Sequence, residues 1–148
     1  MPHSEVVDGV WTIPASRYKT GNEVVLPLSK AAQAVLEELP VLGQFVFSAD
    51  GRKPIGGLSE RKAKLDKLSG VTDWVIHDLR RTARSLMSRA GVDADITERC
   101  LGHVIGGVRG VYDRHSFLEE KRMAFEKLAA LIEGIVNPQD NVVPMTKR

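Results

Sequence analysis

One stretch constrains this chain more than any other: residues 77–112, HDLRRTARSLMSRAGVDADITERCLGHVIGGVRGVY. Its first half repeats apolar residues at Leu79, Ala83, Leu86, Met87 and Ala90, the spacing of a helix that buries one face. Gly91 is the natural stop, and Asp93 caps a second, shorter helix that ends at Cys100 and is closed by Gly102. At about 100° per residue, His77, Arg80 and Arg84 lie within about 60° of one another and off the apolar stripe. Helices must therefore pack on one side of this stretch, while a cationic set faces one place on the other.

The residues upstream read as a platform. Val10–Ile13 and Val24–Leu26 are apolar or β-branched runs, joined by a segment containing Lys19-Thr20-Gly21-Asn22, so a hairpin with Lys19 near its tip is expected. Ser29 is a good N-cap for a helix from Lys30 to about Leu39, ended by Pro40. Phe45–Phe47 predicts a short strand or extended segment. Asp50-Gly51 and Gly56-Gly57 mark a loop, followed by a basic helix from about Ser59 to Leu68 with a sparse stripe of Leu58, Leu65 and Leu68. Beyond Tyr112, Ser116 and Glu119 have the spacing of a capping box for a last helix reaching about Val136. Its apolar rows, Leu118, Phe125, Leu128, Ile132 and Ala124, Leu131, Ile135, are wider than one surface helix buries, and part of that face is expected to pack on another protomer. The resulting fold class is α+β and mainly helical, with a small antiparallel sheet near the N-terminus followed by a helical bundle. Residues 1–136 form one domain in this reading, and residues 137–148 a disordered tail.

With 148 residues, the chain is long enough for a single core. Its 21 Lys and Arg against 19 Asp and Glu give a net charge of only +2, so the sum says little about partners and the distribution says more. Arg52, Lys53, Arg61, Lys62, Lys64 and Lys67 cluster before the central stretch, and Arg80, Arg81, Arg84 and Arg89 follow, while acidic residues gather at Glu37-Glu38 and in Asp93–Glu98. One basic surface is expected. Cys100 is the only cysteine, which excludes an intrachain disulfide, suits a reducing compartment, and reads as a buried thiol. No apolar run approaches the roughly 20 residues of a membrane span, and the N-terminus lacks a signal-peptide core. The expected location is cytoplasmic, with no membrane partner.

If the fold gathers His77, Arg80, His103 and Tyr112 with Lys19, the set suits phosphoryl transfer. A phosphodiester transition state spreads negative charge over nonbridging oxygens, so catalysis is largely positioning plus fixed positive donors. Arg80 supplies a planar fork for two phosphate oxygens, and His103 a further hydrogen bond. Tyr112 can act as a nucleophile where a cationic field and a nearby base oppose the phenol's ordinary pKa of about 10. Lys19 can protonate a leaving oxygen. Each residue alone is more often structural: a lone His at a helix start, a Lys solvated at a hairpin tip, a Tyr packed as an aromatic. Cys100 and His103 lack a second ligand pair with zinc spacing, and the Gly106–Gly110 loop lacks the Gly-Lys-Ser/Thr ending of a nucleotide-binding loop, so neither a metal nor another cofactor is expected.

Taken together, His77-Asp78-Leu79-Arg80-Arg81-Thr82, Leu101-Gly102-His103 and Tyr112 resemble the catalytic signature of the tyrosine recombinases, the phage-integrase family. The upstream Lys19-Thr20-Gly21 and Val25-Leu26-Pro27-Leu28-Ser29 match as well, and Leu101–Arg114 is most similar to integrases of phages and genomic islands. The resemblance covers about Val10 to Ile135. It implies that Tyr112 attacks a DNA phosphate to give a 3′-phosphotyrosyl link and a free 5′-hydroxyl, without metal or nucleotide. It further implies that Arg80 and His103 hold nonbridging oxygens, that His77 assists proton transfer and that Lys19 is the general acid. Double-stranded DNA carrying an attachment site would be the partner, bound in part by Arg81, Arg84, Lys62 and Lys64. Four protomers would exchange strands through a Holliday junction in a bacterial or phage-encoded system.

The family also carries another catalytic Arg in a helical segment upstream of the strand pair, and Arg17 sits on the wrong element to replace it. The sequence is therefore expected to be the C-terminal part of a catalytic domain, truncated at its N-terminus, with weak or absent recombination by this polypeptide alone. Losing one fixed donor to a developing charge typically costs roughly 10²–10³ in rate. Two other outcomes stay open on the sequence: a non-catalytic DNA-binding or regulatory remnant, and relaxation of supercoils as in type IB topoisomerases.

Overall fold

Two turns of different kinds build the sheet. In the computed structural model, which describes residues 1–103 and 116–138, Val6–Val7 (β1), Val10–Ile13 (β2) and Val24–Pro27 (β3) are antiparallel neighbours in that order. β2 and β3 pair from Val10 opposite Pro27 to Ile13 opposite Val24, the strand pair the apolar runs predict. β1 is an addition. Asp8 and Gly9 have φ of 48° and 71°, the left-handed pair that a two-residue type I′ hairpin demands, so Val7 pairs with Val10.

Ser29 caps Lys30–Glu37 (α1), its Oγ accepting from the Ala32 amide at 3.2 Å. Ser29→Ala is expected to lower stability by about 1 kcal/mol, read as a drop in urea midpoint at unchanged slope; an unchanged midpoint would show that the cap contributes nothing. Phe45 forms an isolated antiparallel bridge with Pro2 while Val46 and Phe47 bend, so the expected strand is reduced to a tie to the N-terminus, with His3 donating to the Gln44 carbonyl at 2.9 Å and Val46 to the Met1 carbonyl at 3.0 Å.

Leu58–Ser69 (α2) forms between Gly57 and Gly70, both left-handed. Its leucine stripe does not pack as expected: Leu58, Leu65 and Leu68 are all exposed. Three leucines on an otherwise charged helix make too narrow a face for a core, and polar contacts hold α2 instead. Trp74 Nε1 donates to Asp66 at 2.9 Å, while Lys62 pairs with Asp66 at 2.7 Å and lies 4.7 Å from the Trp74 ring centre.

The core lies where three helices meet: Ile76–Arg89 (α3), Ala94–Cys100 (α4) and Leu118–Val136 (α5). Met87, Cys100, Ala124 and Leu128 are its buried centre, with Ala83, Leu86, Val92, Ile96 and Phe125 packed around them. Met87 is 1% exposed, whereas Leu79, the first member of the predicted stripe, is 60% exposed because the core begins a turn later. α5 also packs on β3 and α1, so one helix joins the sheet to the bundle. Its start departs from expectation: Phe117, at φ 50° and ψ 30°, is the N-cap residue and no side chain caps the helix. The left-handed turn at Phe117 takes the Ser116 hydroxyl away from the first helical amides, so the Ser116–Glu119 box does not form. Beyond Leu128, Ile132, Ile135 and Val136 are exposed, so the wide apolar face is covered only along its first half. No helix among the described residues is long and apolar enough to cross a membrane. The expected tail lies largely outside the described residues.

Candidate active site

The C-terminal turn of α4 organises the site. Gly102, at φ 67°, follows the helix in a left-handed cap. The His103 amide donates to the Glu98 carbonyl at 3.0 Å and the Gly102 amide to that of Arg99 at 3.0 Å, a pattern that satisfies orphan carbonyls and turns the chain back over the last helical turn. Leu-Gly-His is thus a helix stop, and the stop aims His103 at Glu98. The His103 Nδ1 is hydrogen-bonded to one Glu98 oxygen, and Arg84 Nε donates to the other at 2.8 Å. Arg80 Nη2 donates to the Leu101 carbonyl, placing a cation where the helix dipole is negative. Four side chains therefore converge: Arg80 and Arg84 from α3, Glu98 from α4 and His103 from the turn that follows it.

Hydrogen bonding by His103, and then by Arg84, holds the Glu98 carboxyl below its ordinary range. A depressed carboxyl pKa means that the folded chain binds fewer protons than the unfolded one, so the contribution is present above the unfolded value of about 4.3 and fades as pH falls through the folded value. Glu98→Gln is expected to flatten the loss of thermal stability on acidification below that pH. An identical acid profile in the variant would show that the His103–Glu98–Arg84 chain does not contribute.

The hairpin reaches this turn through Tyr18, whose hydroxyl donates to the Gly102 carbonyl at 3.1 Å. Lys19 is the next residue, exposed in the β2–β3 connection. Between hairpin and turn is a cleft of about 170 Å³ lined by Thr20, Asn22, Arg99, Gly102, His103 and Lys121, among others. Lys121, from the first turn of α5, is buried, and its Nζ donates to the Val25 carbonyl at 2.6 Å; burial lowers its pKa. Cys100 is buried in the core, and burial pushes its thiol up to about 11, which makes it a poor nucleophile near neutral pH.

Of the residues singled out from sequence, Arg80 and His103 meet at one turn, and Lys19 is brought toward it on a tethered hairpin. His77 is exposed in the first turn of α3, one turn before Arg80. Arg84 joins the cluster through Glu98. Arg81 instead pairs with Asp78 at 2.8 Å. Lys62 is engaged by Asp66, and Lys64 is exposed on α2. Arg17 pairs with Glu5 at 2.9 Å, sharing that carboxylate with Trp11. Tyr112 lies outside the described residues. Sequence reasoning passed over Tyr18, Glu98 and Lys121. Only Glu98 had a local signal, five residues before His103.

Chemically, the cluster offers fixed donors for an anion: a guanidinium with five N–H groups of which Leu101 takes one, an imidazole, and a hairpin ammonium. A sequence profile described as the phage integrase family matches residues 1–118. Prophage integrase IntA of Escherichia coli (strain K12) is 33% identical over 131 residues, which are 84% of this chain and 31% of IntA. Prophage integrase IntZ of the same strain is 29% identical over 139 residues, 90% of this chain and 34% of IntZ. The chain spans about a third of the length of these relatives. No solved structure matches it.

Proposed function

This chain belongs to the phage integrase family, and from that premise we propose that it carries the chemistry of site-specific DNA strand cleavage and rejoining. The Tyr112 phenolate oxygen attacks the scissile phosphorus and forms a P–O bond, giving a 3′-phosphotyrosyl link. The bond to the 5′-oxygen breaks, and Lys19 delivers the proton that turns the leaving oxygen into a hydroxyl. His77 assists removal of the phenol proton, and Arg80 with His103 stabilises the nonbridging oxygens. Because the energy of the broken bond is kept in the covalent link, the hydroxyl of a second strand can reverse the step. Neither a metal nor a nucleotide is required by this sequence of events.

The observation that carries this reading is the convergence of Arg80 and His103 on the α4 terminus, with the Lys19 hairpin tied to the same turn. A positive cluster with a helix-terminal histidine and an adjacent mobile-length lysine is what an anionic transition state needs. Arg81, Arg84, Lys62 and Lys64 contribute phosphate contacts that position the duplex. Assembly as four protomers on attachment-site DNA, in the cytoplasm, completes the proposal, with the exposed second half of α5 docking on a neighbour.

The test is a nicked suicide duplex, selected from a random-sequence pool for binding to the chain, in which the strand beyond the nick is lost on cleavage. Religation is then blocked, so product accumulates even from a site slowed by roughly 10²–10³. The expected result is a denaturant-stable protein–DNA adduct whose digestion yields a nucleotide-modified peptide containing Tyr112. Absence of any such adduct, or attachment at a different residue, overturns the reading.

A further inference from the structure

A general acid on a hairpin is useful only if the hairpin is held in place, since a displacement of about 1 Å can cost roughly 10² in rate. Lys19 is exposed in the connection between Ile13 and Val24, and two contacts with distant parts of the chain fasten the hairpin, one within that connection and one on β3 beside it. Tyr18 donates to the Gly102 carbonyl across 84 residues of sequence. The fit there is close: a Cβ built on Gly102 would lie 2.3 Å from the Tyr18 hydroxyl oxygen. The second fastening is Lys121, whose buried ammonium donates to the Val25 carbonyl at 2.6 Å. β3 is an edge of the sheet, where a carbonyl on the open side lacks a ladder partner. Lysine is seldom buried without such a specific partner.

We propose that Tyr18 and Lys121 are positioning residues that fix the Lys19 hairpin over the Leu101–His103 turn, Tyr18 from the side of α4 and Lys121 from the side of α5. The inference rests on the strand-cleavage reading and deepens it. Neither residue touches the reacting atoms. Both act through Lys19, so their loss should weaken proton delivery to the leaving oxygen and leave phosphate binding by Arg80 and His103 in place.

The experiment compares the full chain with its Tyr18→Phe and Lys121→Met variants on two suicide duplexes. One carries the ordinary phosphodiester, and the other has sulfur in place of the 5′-bridging oxygen at the scissile position. When the P–S bond breaks, its electron pair leaves on a thiolate, which needs no proton because thiols have a pKa near 8.5. Each variant is expected to slow adduct formation on the ordinary duplex by roughly tenfold or more and to regain the parent rate on the sulfur duplex. Equal losses on both duplexes overturn the proposal, since a general weakening of the fold does not distinguish leaving groups. Hydrogen exchange supplies a DNA-free arm: amides of residues 18–24 should exchange faster in each variant while those of α3 keep their protection. Unchanged exchange in Tyr18→Phe overturns the tether even if Lys121→Met fails to fold. A parent chain without an adduct overturns the strand-cleavage reading, and exchange then decides the tether by itself.

Discussion

Tyr112→Phe is expected to leave no denaturant-stable adduct on the suicide duplex. The substitution removes one oxygen and little else, and the proposed covalent intermediate cannot form without it. Cys100 is badly placed to substitute, being buried with its thiol pushed up to about 11. Salt-dependent DNA binding should persist in the variant, because phosphate contacts come from lysine and arginine side chains. Gel analysis of adduct and of bound complex in the same reaction separates the two effects. An adduct that survives in Tyr112→Phe would transfer the nucleophile's role to another residue.

Arg80→Ala carries the second largest expected effect, a fall of roughly 10²–10³ in the single-turnover rate of adduct formation, equivalent to about 2.7–4 kcal/mol. The guanidinium is preorganised by its bond to the Leu101 carbonyl, so its remaining donors meet the developing charge without reorganisation. Removing it also strips the α4 terminus of a favourable cation, but that loss is worth only about 0.3–1 kcal/mol and appears in thermal stability. Arg80→Lys separates charge from geometry: the ammonium keeps the charge and lacks the planar fork, so its rate should fall between parent and alanine variant. A loss of less than tenfold in Arg80→Ala, with the helical signal of the parent, would remove Arg80 from phosphate stabilisation.

The elements that sequence made legible are those set by local rules. The Val10–Ile13 and Val24–Leu26 pair, the Ser29 cap, the Gly91 and Gly102 stops and the inner members of the α3 and α5 stripes appear where pattern and turn chemistry put them, while Leu79, Ile132 and Ile135 at the outer ends of those stripes are exposed. Asp8-Gly9 was equally local, a type I′ hairpin signal that was present but passed over. Two local rules yielded to context. The Ser116–Glu119 spacing met a left-handed Phe117, whose ring centre lies 3.8 Å from the Arg99 guanidinium. The leucines of α2 had a helical spacing but no partner surface among the described residues.

The meeting of Arg80 and His103 at one turn was legible in the sequence, and the residues that hold that turn were not. Arg80 and His103 could be named because family motifs are written in contiguous residues. Tyr18 and Lys121 could not, since their acceptors, the carbonyls of Gly102 and Val25, lie 84 and 96 residues away and are backbone atoms that every residue has. Glu98 was visible only as a member of an acidic run, yet it accepts from both His103 and Arg84.

The position of α5 bears on what counts as a unit in this chain. The family profile ends at residue 118, at the first residue of that helix, whereas the similarity to IntA and IntZ covers 84% and 90% of the chain and so runs on into it. Every motif that identifies the family lies before the helix, but Ala124 and Leu128, half of the buried centre, lie on it, as does the lysine that fastens the sheet. A segment cut at residue 118 would keep those motifs and lose Ala124 and Leu128 from the core that packs α3 against α4.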